Sequence, residues 1–188
     1  MLELIISLLQ RYSHIGLSAT RFLRHWRYGV SQKSLELPKA EEWLKQLVGE
    51  WVIGIAMKTS EKKVVAGCGE MVAKKEEQGI NCEINGHIEG YEDYYQNDFW
   101  TVDVADGSIH LFRLSSDGQI HDHRGQWIDE DATVELYWRG TFEDQEQEEH
   151  LTAKWVAKNQ FEIKEINYSK GRLLLITDYV FKRKQLGE

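Results

Sequence analysis

Leu47-Val48-Gly49-Glu50-Trp51 divides the chain into two unlike parts. A short helical pattern leads into it, and beyond it apolar and polar residues alternate almost to the C-terminus. Period-two alternation marks strands with one buried face. Runs of this kind fall at about 51–58, 64–75, 79–89, 99–104, 108–114, 119–127, 133–142, 150–157, 161–167 and 172–182. The turn signals between them are short, as at Asp106-Gly107, Asp117-Gly118 and Lys170-Gly171, which suits hairpins and not helical crossovers. A meander of about ten strands removes its unpaired edges most simply by closing on itself. The sequence therefore predicts an all-β fold, a closed antiparallel up-and-down barrel of about ten strands with N-terminal helices.

The 188 residues, 41% hydrophobic and 11% aromatic, suffice for one sizeable core, and a single proline argues against extensive disorder. One domain with an N-terminal extension is expected: residues 1–37 as a basic amphipathic helical extension and linker, and residues 38–188 as the barrel domain. Residues 1–34 hold five cations (Arg11, Arg21, Arg24, Arg27, Lys33) against Glu3, a charge of +4, so the remainder carries −12 of the total of −8. An acidic body repels phosphate backbones and favours cationic or neutral ligands, so no nucleic-acid partner is expected.

Leu2, Ile5, Ile6, Leu9 and Tyr12 have helical spacing, but the apolar stretch is far shorter than the roughly 20 residues that span a bilayer. This basic amphipathic segment has the character of an organelle presequence or of a helix that meets a membrane surface or a protein. A helix docked on the barrel is the plainer alternative. Pro38 suits the first turn of a second helix, with Trp43, Leu44 and Leu47 on its apolar edge. Two cysteines, Cys68 and Cys82, exclude a disulfide scaffold and a four-cysteine zinc site, which points to a reduced, cytoplasmic protein. Gly67-Cys68-Gly69 suggests a bend or bulge, and the acidic run 143–149 a solvated hairpin loop.

A helix followed by Leu47-x-Gly49-x-Trp51 at the head of an antiparallel barrel resembles the Gly-x-Trp opening of lipocalin and calycin barrels. From about 47 to 183 the chain also resembles a set of uncharacterised prokaryotic lipocalin-like proteins. That likeness rests on Gly90-Tyr91-Glu92, Phe99-Trp100-Thr101-Val102-Asp103, Gly125-Gln126-Trp127 and Phe181-Lys182-Arg183. It implies that Trp51 packs against Arg183 at the closed end. It implies fold and almost no chemistry.

Two-residue turns at Asp106-Gly107 and Asp117-Gly118 would set Asp103 across from His110, with His110, Phe112, His121 and His123 on one face. A four-residue loop after Trp127 would continue that face into Val134, Leu136 and Trp138. The expected ligand-lining residues are thus Asp103, His110, Phe112, His121, His123, Trp127 and Trp138. Trp100, Val102, Ile109 and Leu111 form a competing apolar side on the same strands, and the choice of inner face stays open at this level. Three functions follow. The leading one is binding of a small, partly hydrophobic ligand inside the barrel without catalysis, and the sequence requires no cofactor. The second is a metal-dependent or acid-base enzyme with Asp103, His110, His121 and His123 as candidate metal ligands. The third is an interaction module working through the N-terminal helix. Because residues 1–34 stand outside the strand pattern, their deletion should leave the cooperative thermal transition nearly intact by circular dichroism; a large fall in the transition temperature would show that they cover the barrel.

Overall fold

Helix α1 (Leu37–Lys45) starts the described fold, with Pro38 in its first turn, where the missing N–H costs no hydrogen bond. The computed structural model describes residues 37–61, 63–116, 118–128, 133–142 and 144–184; the extension expected over 1–34 lies outside the described residues. Ten strands follow: β1 (Gly49–Thr59), β2 (Val64–Lys75), β3 (Ile80–Ile88), β4 (Tyr94–Val102), β5 (Ile109–Ser115), β6 (Ile120–Trp127), β7 (Thr133–Phe142), β8 (Gln145–Ala157), β9 (Gln160–Ser169) and β10 (Arg172–Arg183). Each pairs antiparallel with the next, and β1 pairs with β10, so the sheet closes into a barrel.

The two ends of the barrel differ in chemistry. At the end where β1 begins, Trp43 of α1 enters the barrel and lies 5.6–6.1 Å from the rings of Trp100, Trp127, Trp155 and Phe161. Offset and edge-on arrangements at this spacing add to the area the rings bury. The interior row nearest this plug is apolar: Trp51, Ile53, Ala73, Ile80, Val134, Ala153 and Phe181 are all buried. The seam between β1 and β10 is held there by one constellation. Trp51 is fully buried and donates its indole N–H to Leu47 O at 2.8 Å. Arg183, its cross-strand partner, places its guanidinium 4.2 Å from the Trp51 ring and donates to Val48 O and Gln46 O. The pairing of Trp51 with Arg183 implied by the lipocalin resemblance is thus the actual lock of the closed end.

Two local expectations change. Gly67 and Gly69 mark no bulge, since the ladders of β2 run through them without a shift. A Cβ on either would meet β3 carbonyl oxygens at 2.7 and 2.6 Å, so close strand approach is what requires glycine there. The acidic run is not a loop: β8 starts at Gln145, and Glu149 is buried within it. Trp51→Ala removes a fully buried indole and its partner for Arg183, and should cost about 3–5 kcal/mol by urea denaturation. A loss below about 1 kcal/mol would show that the seam does not depend on it.

Candidate functional site

Inward-facing residues change character halfway along the barrel. Continuing away from the sealed end, the apolar rows of β4, β5, β8 and β9 meet Asp98, Arg113, Glu149 and Glu165, all buried. Each sits two residues from an apolar core residue on its own strand: Trp100, Leu111, Leu151 and Ile163. Alternation alone therefore aims all four charges inward.

Arg113 is the hub. Its Nε lies 3.3 Å from Asp98 Oδ1, its Nη1 donates to Glu165 Oε2 at 2.8 Å, and the same nitrogen is 3.8 Å from Glu149 Oε2. Gln96 donates to both Asp98 oxygens at 3.0 and 2.9 Å, and Asn167 to Glu165 Oε1 at 2.8 Å. Glu149 is flanked by two imidazoles: His123 Nε2 is 2.8 Å from Oε2, and His121 Nδ1 is 3.1 Å from Oε1. The far nitrogens meet oxygens as well, His123 Nδ1 at 3.3 Å from Leu111 O and His121 Nε2 at 3.1 Å from Gln119 Oε1. Trp138 stacks on His121 with ring centroids 3.6 Å apart.

The electrostatics are uneven. Three carboxylates face one guanidinium, a formal surplus of −2 with neutral imidazoles. Burial pushes the Asp98 carboxyl up, despite Arg113 and Gln96. Burial acts the same way on Glu149, but the imidazoles of His121 and His123 and the Arg113 charge outweigh it and hold that carboxyl well below the usual range. Burial also pushes the Tyr94 hydroxyl up to about 12, so it remains a donor. That hydroxyl is buried and has no hydrogen-bond partner among the described residues. Tyr94, Gln96, Asp98, Arg113 and Tyr179 line a cavity of about 10 Å³, together with Ile53, Ile84, Ile163 and Phe181. That is room for the centre of about one water molecule.

The residues singled out in the sequence divide three ways. His121, His123 and Trp138 come together in this charged half. Trp127 faces inward at the opposite end, against Trp43. His110 and Phe112 are on the outer wall and Asp103 lies in the exposed turn between β4 and β5, which corrects the shared face expected for them with His121 and His123. The physical reason is hairpin length. Ser115 pairs with Gln119 around three residues, not two, so Leu111 and Arg113 oppose His123 and His121, while His110 opposes Arg124. Asp103 pairs with Ser108 around a four-residue loop and accepts the Ala105 N–H at 2.8 Å, building that turn. His110 is covered on the outside by Asp122, at 3.1 Å, and by Phe112. Asp98, Arg113, Glu149 and Glu165 were not anticipated. Their signal was present, since Arg113 continues the Ile109, Leu111 row that competed for the inner face.

No protein-family profile matches the chain, and no curated protein matches it. Among solved structures, an S-type phycobiliprotein lyase from Guillardia theta is similar over 78% of this chain and 93% of its own, at 13% identity and a TM-score of 0.58. Rv2717c from M. tuberculosis is similar over 78% of this chain and 98% of its own, at 13% identity and a TM-score of 0.59. These likenesses establish the fold, a lipocalin-like closed barrel.

The pH response of the site has a definite sign. A carboxyl held below its ordinary value, 4.5 for a glutamate, stabilises the fold above that value and loses the contribution as pH falls below it. Asp98, raised, works in the opposite sense and gains on protonation. The Glu149 contribution to stability should therefore be lost as pH falls from about 5 toward 2. In Glu149→Gln that acid slope should flatten, measured as denaturation midpoint against pH, while the neutral-pH stability falls. An unchanged slope would remove Glu149 from the acid response.

Proposed function

We propose that the protein binds a small, partly hydrophobic ligand with a cationic or hydrogen-bonding end in the charged half of its barrel, without catalysis. One observation carries the reading: the buried Asp98 and Arg113 pair, Gln96 and a buried Tyr94 hydroxyl with no partner among the described residues converge on a cavity whose other wall is aliphatic, with Glu149 and Glu165 bound to Arg113 just beyond it. A barrel interior that served folding alone would be filled with apolar side chains, because burying ions is at best neutral for stability. Mostly apolar walls with a few convergent polar groups are the usual composition of small-molecule sites. The acidic body steers cations toward the site. Because the cavity takes only about one water, a larger ligand is admitted by displacing side chains around Trp138 and Tyr94 at the end remote from α1. Other parts of the chain offer weaker chemistry. Cys82 is buried opposite Asp98, and burial, helped by that carboxylate, pushes its thiol well up and keeps it protonated. Among the described residues no helix is long and apolar enough to cross a membrane.

A matched pair of probes tests the proposal. The full chain, freed of metal with a chelator, is titrated with 1-naphthylmethylammonium and with 1-naphthoate by calorimetry. The cation should bind at least about tenfold more tightly, and the preference should shrink in Glu149→Gln/Glu165→Gln and at high salt. Equal binding of the two probes, or an undiminished preference in the double variant, would overturn the reading.

A further inference from the structure

We infer that His121, His123 and Glu149 form a binding site for one divalent transition-metal ion of the zinc type. This inference does not rest on the organic-ligand reading, and its probe is the ion alone. One ligating atom from each of the three residues lies within 4.8 Å of the others. His121 and His123, at i and i+2 on β6, necessarily share a face, and Glu149 reaches them from β8, where it lies opposite Trp138 of the intervening β7. Ligands of a tetrahedral zinc ion lie about 3.3–3.5 Å apart, given bonds near 2.0–2.1 Å. Small side-chain rotations would therefore bring the three into place.

Proton accounting makes the case for a cation. A neutral imidazole carries one N–H. His123 has an oxygen at both nitrogens, Leu111 O and Glu149 Oε2, so one of these contacts lacks a proton in the neutral ring. If Nδ1–H serves the fixed backbone carbonyl, the Nε2 lone pair faces the carboxylate at 2.8 Å, which calls for a positive centre between them. His121 repeats the pattern: Nε2 is engaged by Gln119, while Nδ1 is buried, 3.1 Å from the carboxylate, and makes no hydrogen bond. Metal-ligating histidines characteristically have the far ring nitrogen fixed by such an acceptor. The charge also fits, because a divalent ion neutralises the surplus of −2 left by Asp98, Glu149 and Glu165 against Arg113. Arg113, 3.8 Å from Glu149, is already committed to Asp98 and Glu165. Two imidazoles and one carboxylate are a donor set suited to zinc and its neighbours and leave a coordination position for a further ligand.

The test is titration of the chelator-treated full chain with Zn²⁺ by calorimetry and with Co²⁺ by visible absorption and tryptophan emission. One ion per chain is expected, with tetrahedral Co²⁺ bands and quenching of Trp138, which stacks on His121. His121→Gln/His123→Gln should weaken binding by at least about 100-fold, and Gln119→Ala by about 10-fold to 100-fold. The outer-wall variant His87→Gln/His150→Gln should bind like wild type. X-ray absorption on the wild-type zinc protein, which needs no variant to fold, should show two imidazoles and oxygen in the first shell. Absence of a stoichiometric ion, binding unchanged in the His121/His123 variant, or a zinc shell without imidazole would overturn the site. In those outcomes the two histidines balance Glu149 with protons alone.

Discussion

Closure of ten antiparallel strands is the constraint from which the rest follows. Once β1 pairs with β10, every strand has one face with no route to solvent except the barrel ends, and a side chain's parity decides its environment. Apolar parity in the half near α1 produces a packed aromatic plug. The same parity in the other half carries Asp98, Arg113, Glu149 and Glu165 into the interior, where they satisfy one another because water cannot.

The two halves are complementary in energetic terms. The end around Trp43, Trp51 and Phe161 supplies dispersion and burial, and the Trp51 and Arg183 contact fixes the seam. That stability allows the remote half to hold a charge arrangement that contributes little to folding by itself. Buried charge of one predominant sign is a common mark of a working site, since it shifts protonation and attracts counter-charge. The plug and the charged chamber share the strands that carry them, so the chamber's geometry is set by rigid elements and not by loops.

Much of the fold was legible because alternation survives wherever residues are apolar on one side. The bounds of β2 and β7 follow the pattern directly. Legibility failed where inward positions are polar. The first half of β4, Tyr94 to Asp98, and the first half of β8, Gln145 to Glu149, break the hydrophobic alternation and read as loop. Those are the segments that deliver Asp98 and Glu149 to the site. The second failure was one of counting: one extra residue in the Ser115 to Gln119 hairpin moves His110 to the outer wall and Arg113 to the centre. Hairpin length depends on backbone conformation in the turn, to which an Asp-Gly pair is compatible with more than one solution. His121, His123 and Trp138 kept a common face although the connection after Trp127 is longer than the four residues expected: Trp127 pairs with Val134, a register shifted by two residues, and an even shift leaves every side chain on its face.

The seam between the first and last strands has a consequence for biosynthesis. Arg183 bonds to Val48 across 135 residues of chain, so the lock on the closed end can form only after all ten strands of the barrel have been made. Until β10 emerges, β1 is an unpaired edge, and Trp43, Leu44 and Trp51 lack the far wall that covers them. A nascent chain of this topology accumulates hairpins in order from β1 and β2 onward, but it gains its closed state in one late step with a large loop-closure cost. Its vulnerable interval is the whole synthesis of the barrel, during which chaperones would meet an apolar, tryptophan-rich edge on the first strand made.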